Sequence, residues 1–435
     1  MWFIVLLLLD LYLSSFLQLL LERAKITSRS DSMAHCRKSC RNCVAQTWLQ
    51  SVSELGPKVW STLHILDGDA YTGRYFMDPL FEMLKANPGQ HGVVRTEGEE
   101  WYKLRKTSLK ILKELGMGNN QMEHMVQQEL DVLLKSICHD IEAQKIQSDH
   151  QEGSPKSLVK HNLVPSINLL AGSTINQVVF GFSFHGEKEG EFHKLKQLIA
   201  DNGKKMVSPI ISLVINFPFM RQLPVFSATL DVFDKTLSSV YAFFDQHIQA
   251  RILEKGQSEN KDMRNNSFVD QFLLEMEAAK GKPDEKYYGM HSLRTLCFDL
   301  FVAGQETTSS TMNFLVLYLL LDQRVQKKLH AELDKKVNSK RTITYSERTH
   351  LPYLNAVLNE TMRLSNILPQ NLIHKTMKDV RIQGHSIAKG TKIVPQISCV
   401  LFDEKLFPNA QEFIPERFLD SQGQLKKCEE LIPFQ

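Results

Sequence analysis

Apolar residues recur at three- and four-residue spacings along most of this chain, and strict alternation is confined to its last part. "GEEWYKLRKTSLKILKELG" and "QMEHMVQQELDVLLKSICHDIEA" carry the helical spacing, and further helices are expected around residues 163 to 180, 188 to 206 and 227 to 255, because a face repeating every 3.6 residues is buried by a helix. The proline-bearing "FPFMRQLPVF" and the polar "QKIQSDHQEGSPKS", "KGQSENKDMRNN" and "GKPDEK" read as breaks. A long, nearly all-round apolar helix is expected from near Tyr287 through "LCFDLFVAGQETTSSTMNFLVLYLLL", followed by "QRVQKKLHAELDKKV" and "PYLNAVLNETMRL". After residue 372, "HKTMKDVRIQGHSIAKGTKIVPQIS" alternates like short strands, with Gly384 and Gly390 at turns. The fold class is therefore mainly α with a small β-sheet.

The first residues form a different pattern. Trp2 to Leu21 is an apolar run interrupted by Asp10, about the 20 residues a helix needs to cross a bilayer. No small-residue cleavage site follows, so residues 1–21 read as an uncleaved membrane anchor. The basic stretch behind it places the remainder in the cytosol. Lys and Arg number 52 against 49 Asp and Glu, and this balance gives no electrostatic argument for a nucleic-acid partner. Of seven cysteines, Cys138, Cys297, Cys399 and Cys428 are isolated, which suits a reducing compartment.

Chemistry concentrates in three places. The long apolar helix carries Gly304, Glu306, Thr307 and Thr308 in its middle. A helix-interior glycine costs roughly 1 kcal/mol relative to alanine, and a carboxylate among leucines must be paired, hydrated or protonated. Such a glycine admits a close ligand, and an acid beside a hydroxyl can relay protons; a structural Glu satisfied by a basic neighbour is the alternative. Glu360 and Arg363 stand at i and i+3 on one helix face, spaced for a charge-assisted pair. Arg417 lies in "IPERF".

"AGQETT" at Ala303 to Thr308, "ETMR" at Glu360 to Arg363 and "PERF" at Pro415 to Phe418, with "EEWYKLRK" upstream carrying Trp101 and Arg105, resemble in order and separation the motifs of the cytochrome P450 monooxygenases. The resemblance runs from about Tyr71 to Phe434 and is closest to the microsomal animal enzymes, especially the type expanded in nematodes. It implies a P450 fold at residues 63–435, behind the anchor and a poorly matching basic juxtamembrane segment at residues 22–62. It also implies a haem cofactor, a lipophilic substrate of xenobiotic, fatty acid or steroid type, electrons from NADPH-cytochrome P450 reductase, and a place on the endoplasmic reticulum membrane with the catalytic domain cytosolic.

Residue by residue, the resemblance implies that Trp101 and Arg105 hold one haem propionate and that His374, in "LIHKT", meets the other. Ala303 and Gly304 would lie over the porphyrin. Glu306 and Thr307 would pass protons so that the O–O bond breaks instead of leaking peroxide. Glu360, Arg363 and Arg417 would form a buried ion-pair network shaping the proximal side.

Two departures stand out. Family members carry F-x-x-G-x-R-x-C-x-G after P-E-R-F, and its cysteine is the axial ligand; the present sequence ends at Phe434-Gln435. The axial cysteine is absent from these residues, no metal ligand is assigned, and the chain as written is expected to be inactive, fold-incomplete at the C-terminal side and irregular at the N-terminal side. One alternative is a non-catalytic isoform that binds lipophiles or partners without haem. Another, of a different class, is an iron-sulfur site at Cys36, Cys40 and Cys43, whose C-x3-C-x2-C spacing resembles that of radical-SAM enzymes. That motif belongs ahead of alternating strands and helices, which this chain lacks. A zinc site using His35 is disfavoured by the tight spacing.

Overall fold

The computed structural model describes residues 68–75, 78–86, 91–118, 120–149, 161–257, 266–337, 343–382 and 384–433. The expected anchor, the juxtamembrane segment with Cys36, Cys40 and Cys43, and Phe434 and Gln435 lie outside them. The described chain is mostly helical with a small antiparallel sheet component. It divides into two compact units, Thr72–Met122 with Asn168–Glu306, and Glu123–Ile167 with Thr307–Gln435 and the residues up to Tyr71.

The first unit opens on strand β1 (Gly73–Arg74) and helices α1 (Asp78–Met83) and α2 (Gly98–Glu114). Helix α2 buries Leu104, Thr107, Ser108, Ile111 and Leu112, one stripe at helical spacing, and carries Glu99 and Glu100 in its first turn, where the helix dipole favours negative charge. Helix α3 (Asn120–Asp149) carries the chain into the second unit, and α4 (Leu163–Phe180) returns it. Among the described residues α4 alone is long and apolar enough to span a bilayer. Most of it is buried in the fold, so its hydropathy is that of a core helix.

Helices α5 (Glu189–Met206), α6 (Pro209–Asn216), α7 (Pro224–Gln257) and α8 (Phe268–Ala279) follow. Here α7 lies along α5, and α8 lies against α2. Two of these helices are absent from the sequence expectation. Helix α6 starts on Pro209 at its first position, with Ser208 Oγ accepting from Ile211 N. Helix α8 starts on a capping box in which Ser267 Oγ accepts from Asp270 N and the Asp270 carboxylate accepts from Ser267 N. Leu80, Phe81, Ile211, Val214, Phe233, Leu237 and Tyr241 form one core cluster. Phe180, Phe184, Phe192, Phe244 and Phe301 form a second aromatic one, with Phe184 and Phe192 centroids 5.5 Å apart.

The long helix α9 (Met290–Leu321) begins after a 3-10 turn at Pro283–Tyr287, and the division between the units falls within it, between Glu306 and Thr307. In the second unit α10 (Gln323–Val337) leads to α11 (Pro352–Ser365). Glu332 of α10 accepts from Tyr353 N and Leu354 N, each at 2.8 Å, and so caps the start of α11. Helix α11 is buried along nearly its whole length and ends on Asn366 in the left-handed region, φ 41°. Four short strands follow, β2 (His374–Lys375), β3 (Val380–Ile382), β4 (His385–Ile387) and β5 (Lys392–Ile393). β3 pairs with β4 in register Arg381 to Ser386, and β2 pairs with β5 in register His374 to Ile393, both antiparallel. Gly384, at φ +88°, takes the turn conformation that only glycine adopts without strain. A single helical turn, α12 (Ser398–Leu401), precedes the 3-10 turn Pro415–Phe418.

Candidate functional site

In the first unit, Trp101 and Arg105 stand one turn apart on α2, which puts both on one face. The Arg105 guanidinium lies 5.4 Å from the Trp101 ring centroid, and Arg74 of β1 lies 6.0 Å from the same ring. Arg74 is a residue the sequence reading does not single out, since "TGRYF" carries no motif. Its pKa is lowered to about 10, first by burial and then by the charge of Arg105. Two cations facing one indole repel each other, and an anion between them would relieve both.

The middle of α9 contains both the glycine and the acid expected there. Gly304 is buried, and a Cβ built on it would sit 3.0 Å from the Ile175 side chain of α4. Close packing of the two helices is therefore a physical reason for this glycine. Glu306 is not enclosed by leucines: its side chain is 42% exposed and its Oε1 accepts from Lys196 Nζ of α5 at 3.1 Å. Lys196, like Arg74, is missed by the sequence reading, because the partner lies 110 residues away. Thr307 is buried, and its carbonyl accepts from Thr311 Oγ1 at 2.9 Å. This is the threonine back-bonding that loosens a helical turn. Ala303, one turn before Thr307, is half-buried.

In the second unit, Glu360, Arg363 and Arg417 come together. Glu360 Oε2 accepts from Arg363 Nε at 2.7 Å, while its Oε1 accepts from Arg363 Nη2 at 2.9 Å, Arg417 Nε at 3.1 Å and Ile414 N at 2.9 Å. Glu360 and Arg363 are wholly inaccessible. Arg363 also donates to Leu401 O and Glu412 O, and Arg417 to Pro408 O and Asn409 O. Every oxygen of the buried carboxylate thus has donors, the condition under which a buried charge is tolerated. The neighbouring Glu416 does other work. Burial opposes its ionisation, but Lys328 at 2.7 Å and Arg324 outweigh that and hold its pKa at about 2.

His374 of β2 has its Nδ1 2.6 Å from Tyr71 O. A ring nitrogen that close to a carbonyl must donate, which makes Nε2 the acceptor nitrogen of the neutral ring. The described cysteines are free thiols. Burial raises the pKa of Cys297 and Cys399, and burial with Glu430 raises Cys428 to about 11. A metal-binding thiolate needs the opposite environment. The cationic pair on Trp101 in the first unit has the chemistry to hold a carboxylate, as does the imidazole of His374 in the second, while none of these three cysteines has the environment of a thiolate ligand.

Comparison with known proteins gives the family. Residues 49–434 match the family model for cytochrome P450. Cytochrome P450 2C3 of Oryctolagus cuniculus is 30% identical over 370 residues, covering 84% of this chain and 69% of the relative. Cytochrome P450 2H1 of Gallus gallus is 30% identical over 390 residues, covering 87% and 73%. Cytochrome P450 2D26 of Rattus norvegicus is 31% identical over 360 residues, covering 82% and 66%. The chain belongs to the cytochrome P450 family, whose activity is haem-dependent monooxygenation.

Proposed function

We propose that the protein, in a form that carries the family's ligand-bearing segment, inserts one oxygen atom of O2 into a lipophilic organic molecule, and that Arg74, Trp101 and Arg105 in the first unit and, taken by itself, His374 in the second are groups that meet haem propionates. The observation that carries this reading is the pair of guanidinium groups set against one indole, a local concentration of positive charge suited to a carboxylate. The haem, when bound, supplies oxygen activation. The Glu306 carboxyl and the Thr307 hydroxyl form the path along which a proton is delivered. Ala303 and Gly304 give the small-residue stretch that leaves oxygen room. The Glu360, Arg363 and Arg417 network fixes the backbone at Leu401, Glu412 and Ile414 on the proximal side.

Electrons would come from an NADPH-dependent flavoprotein reductase. Arg105, Lys106, Lys110 and Lys113 line a groove of about 600 Å³ on α2, a basic surface suited to an acidic flavoprotein. Membrane association is supported by exposed apolar side chains between α5 and α7. Val207, Phe219 and Val225 are each about two-thirds exposed, and Phe217 and Leu223 about half. The apolar run at residues 1–21 would act as anchor on the endoplasmic reticulum, with the remainder cytosolic.

Because burial raises the pKa of Cys297, Cys399 and Cys428, these three are proposed not to serve as the thiolate ligand. A reduced, carbon-monoxide difference spectrum tests this. Residues 1–435 alone should give no thiolate-type band, and a chain continued from Phe434 through G-x-R-x-C-x-G should give one. A thiolate-type band from residues 1–435 would show that one of their seven cysteines ligates after all.

A further inference from the structure

The four lysines of α2 that face outward differ in what holds them. Lys103 and Lys110 stand two turns apart, on the edge of the helix that meets α8 and the 3-10 turn Pro283–Tyr287. Each is taken by an acid of that neighbour. Lys103 Nζ donates to Asp284 Oδ2 at 2.7 Å, and Lys110 Nζ donates to Glu275 Oε1 at 2.6 Å. Lys106 and Lys113 are also two turns apart, but they are exposed and make no side-chain hydrogen bond or ion pair among the described residues.

These two share the groove of α2 with Tyr102, 56% exposed, and with Leu109. Arg105 is turned onto Trp101 and belongs with the cationic pair there. The middle of the groove is therefore an apolar patch with two unpaired ammonium groups, while a third, Lys110, lines it already neutralised. Lys103 does not line the groove.

The acids are carried to α2 by packing rather than drawn there by the lysines. Tyr287 Oη donates to Glu99 Oε2 at 3.1 Å, and the Tyr288 hydroxyl meets Thr107 Oγ1 at 2.9 Å. Phe272 of α8 packs on Tyr288 with ring centroids 5.9 Å apart. Glu275 and Asp284 are thus set in place whether or not a lysine is opposite.

We infer that Glu275 is an internal competitor for the acidic partner of this groove, occupying Lys110 and leaving docking to Lys106 and Lys113 around Tyr102. The identity of the partner rests on the reductase reading; what is added is a division of one basic helix into cations that are available and a cation that is not. Lys110 is 57% exposed, so its bond to Glu275 is weak enough to be exchanged. The competition therefore lowers affinity and does not block the surface.

Zero-length cross-linking with a water-soluble carbodiimide joins an ammonium only to a carboxylate in contact with it. It reads these pairings in the full chain, alone and with purified NADPH-cytochrome P450 reductase. Alone, Lys110 should couple to Glu275 and Lys103 to Asp284. With the reductase present, Lys106 and Lys113 should couple to it and Lys110 should not. In Glu275→Gln, Lys110 should join them, and binding should tighten about threefold, the scale of one exposed ion pair, and fall more steeply with salt. Lys110 coupling to the reductase as readily as Lys106 in the parent overturns the competition, and so does a Glu275→Gln chain that binds no tighter. Reductase links without the internal Lys110 to Glu275 link sink this inference alone. The internal link without any reductase link from Lys106 or Lys113 sinks the reductase reading of the groove, and the inference with it. The parent pattern decides even without the variant.

Discussion

Replacing Arg363 with alanine should remove about 3–5 kcal/mol of stability, a large part of what holds a domain folded. The side chain is inaccessible, spans Glu360, Leu401 and Glu412 with four hydrogen bonds, and lies between Phe402 and Phe407, 5.9 and 5.3 Å from their ring centroids. Its loss strands a wholly buried carboxylate with only Arg417 and Ile414 N, orphans the buried Leu401 carbonyl and opens a cavity. Arg363→Lys should rescue little, because an ammonium cannot make the two-pronged contact with both Glu360 oxygens. Chemical denaturation of the purified chain is the check. An Arg363→Ala midpoint equal to the parent's would show that the network contributes nothing to the fold.

The second large effect is on chemistry. In a chain that carries the ligand-bearing segment, Glu306→Gln should slow product formation by roughly 10²-fold, the lower range for a general acid. Stability should change by less than about 1 kcal/mol, because the Lys196 pair is partly exposed. Glutamine keeps the size and can still accept from Lys196 Nζ, but it cannot hold the proton. NADPH consumption should continue with peroxide as its product. Comparing product, peroxide and NADPH in the same reaction tests this, and full coupling in Glu306→Gln would remove Glu306 from the proton path.

The helices were legible where a buried stripe is long and uninterrupted. The expected 163 to 180 is α4, 188 to 206 differs by one residue from α5, and 227 to 255 falls inside α7, which starts earlier because Pro224 suits a first helical turn. Helix α6 has only eight residues, too few for periodicity to speak. Helix α8 sits between polar loops, and its signal was the cap, Ser267 with Asp270, rather than the stripe. The pairing of Glu360 with Arg363 could be read from spacing, whereas Arg417 had to be supplied by the resemblance. Long-range partners were not legible at all. Lys196 for Glu306, Arg74 for Trp101 and Asp299 for Val93 and Val94 join elements far apart in sequence, and no local pattern marks them. In the sequence Gly304 reads as room for a ligand; what the structure shows of it is close packing against Ile175, which no local pattern announces.

The central claim is that these residues build a haem site, and a haem titration followed by absorbance tests it most directly. Saturation at one equivalent is expected, with affinity lowered about a hundredfold when Arg74 and Arg105 are both replaced by glutamine, the loss that follows if each cation holds a propionate by a charge-assisted bond of about 1.4 kcal/mol. A chain that takes up no haem, or takes it up equally well without the two arginines, would contradict it.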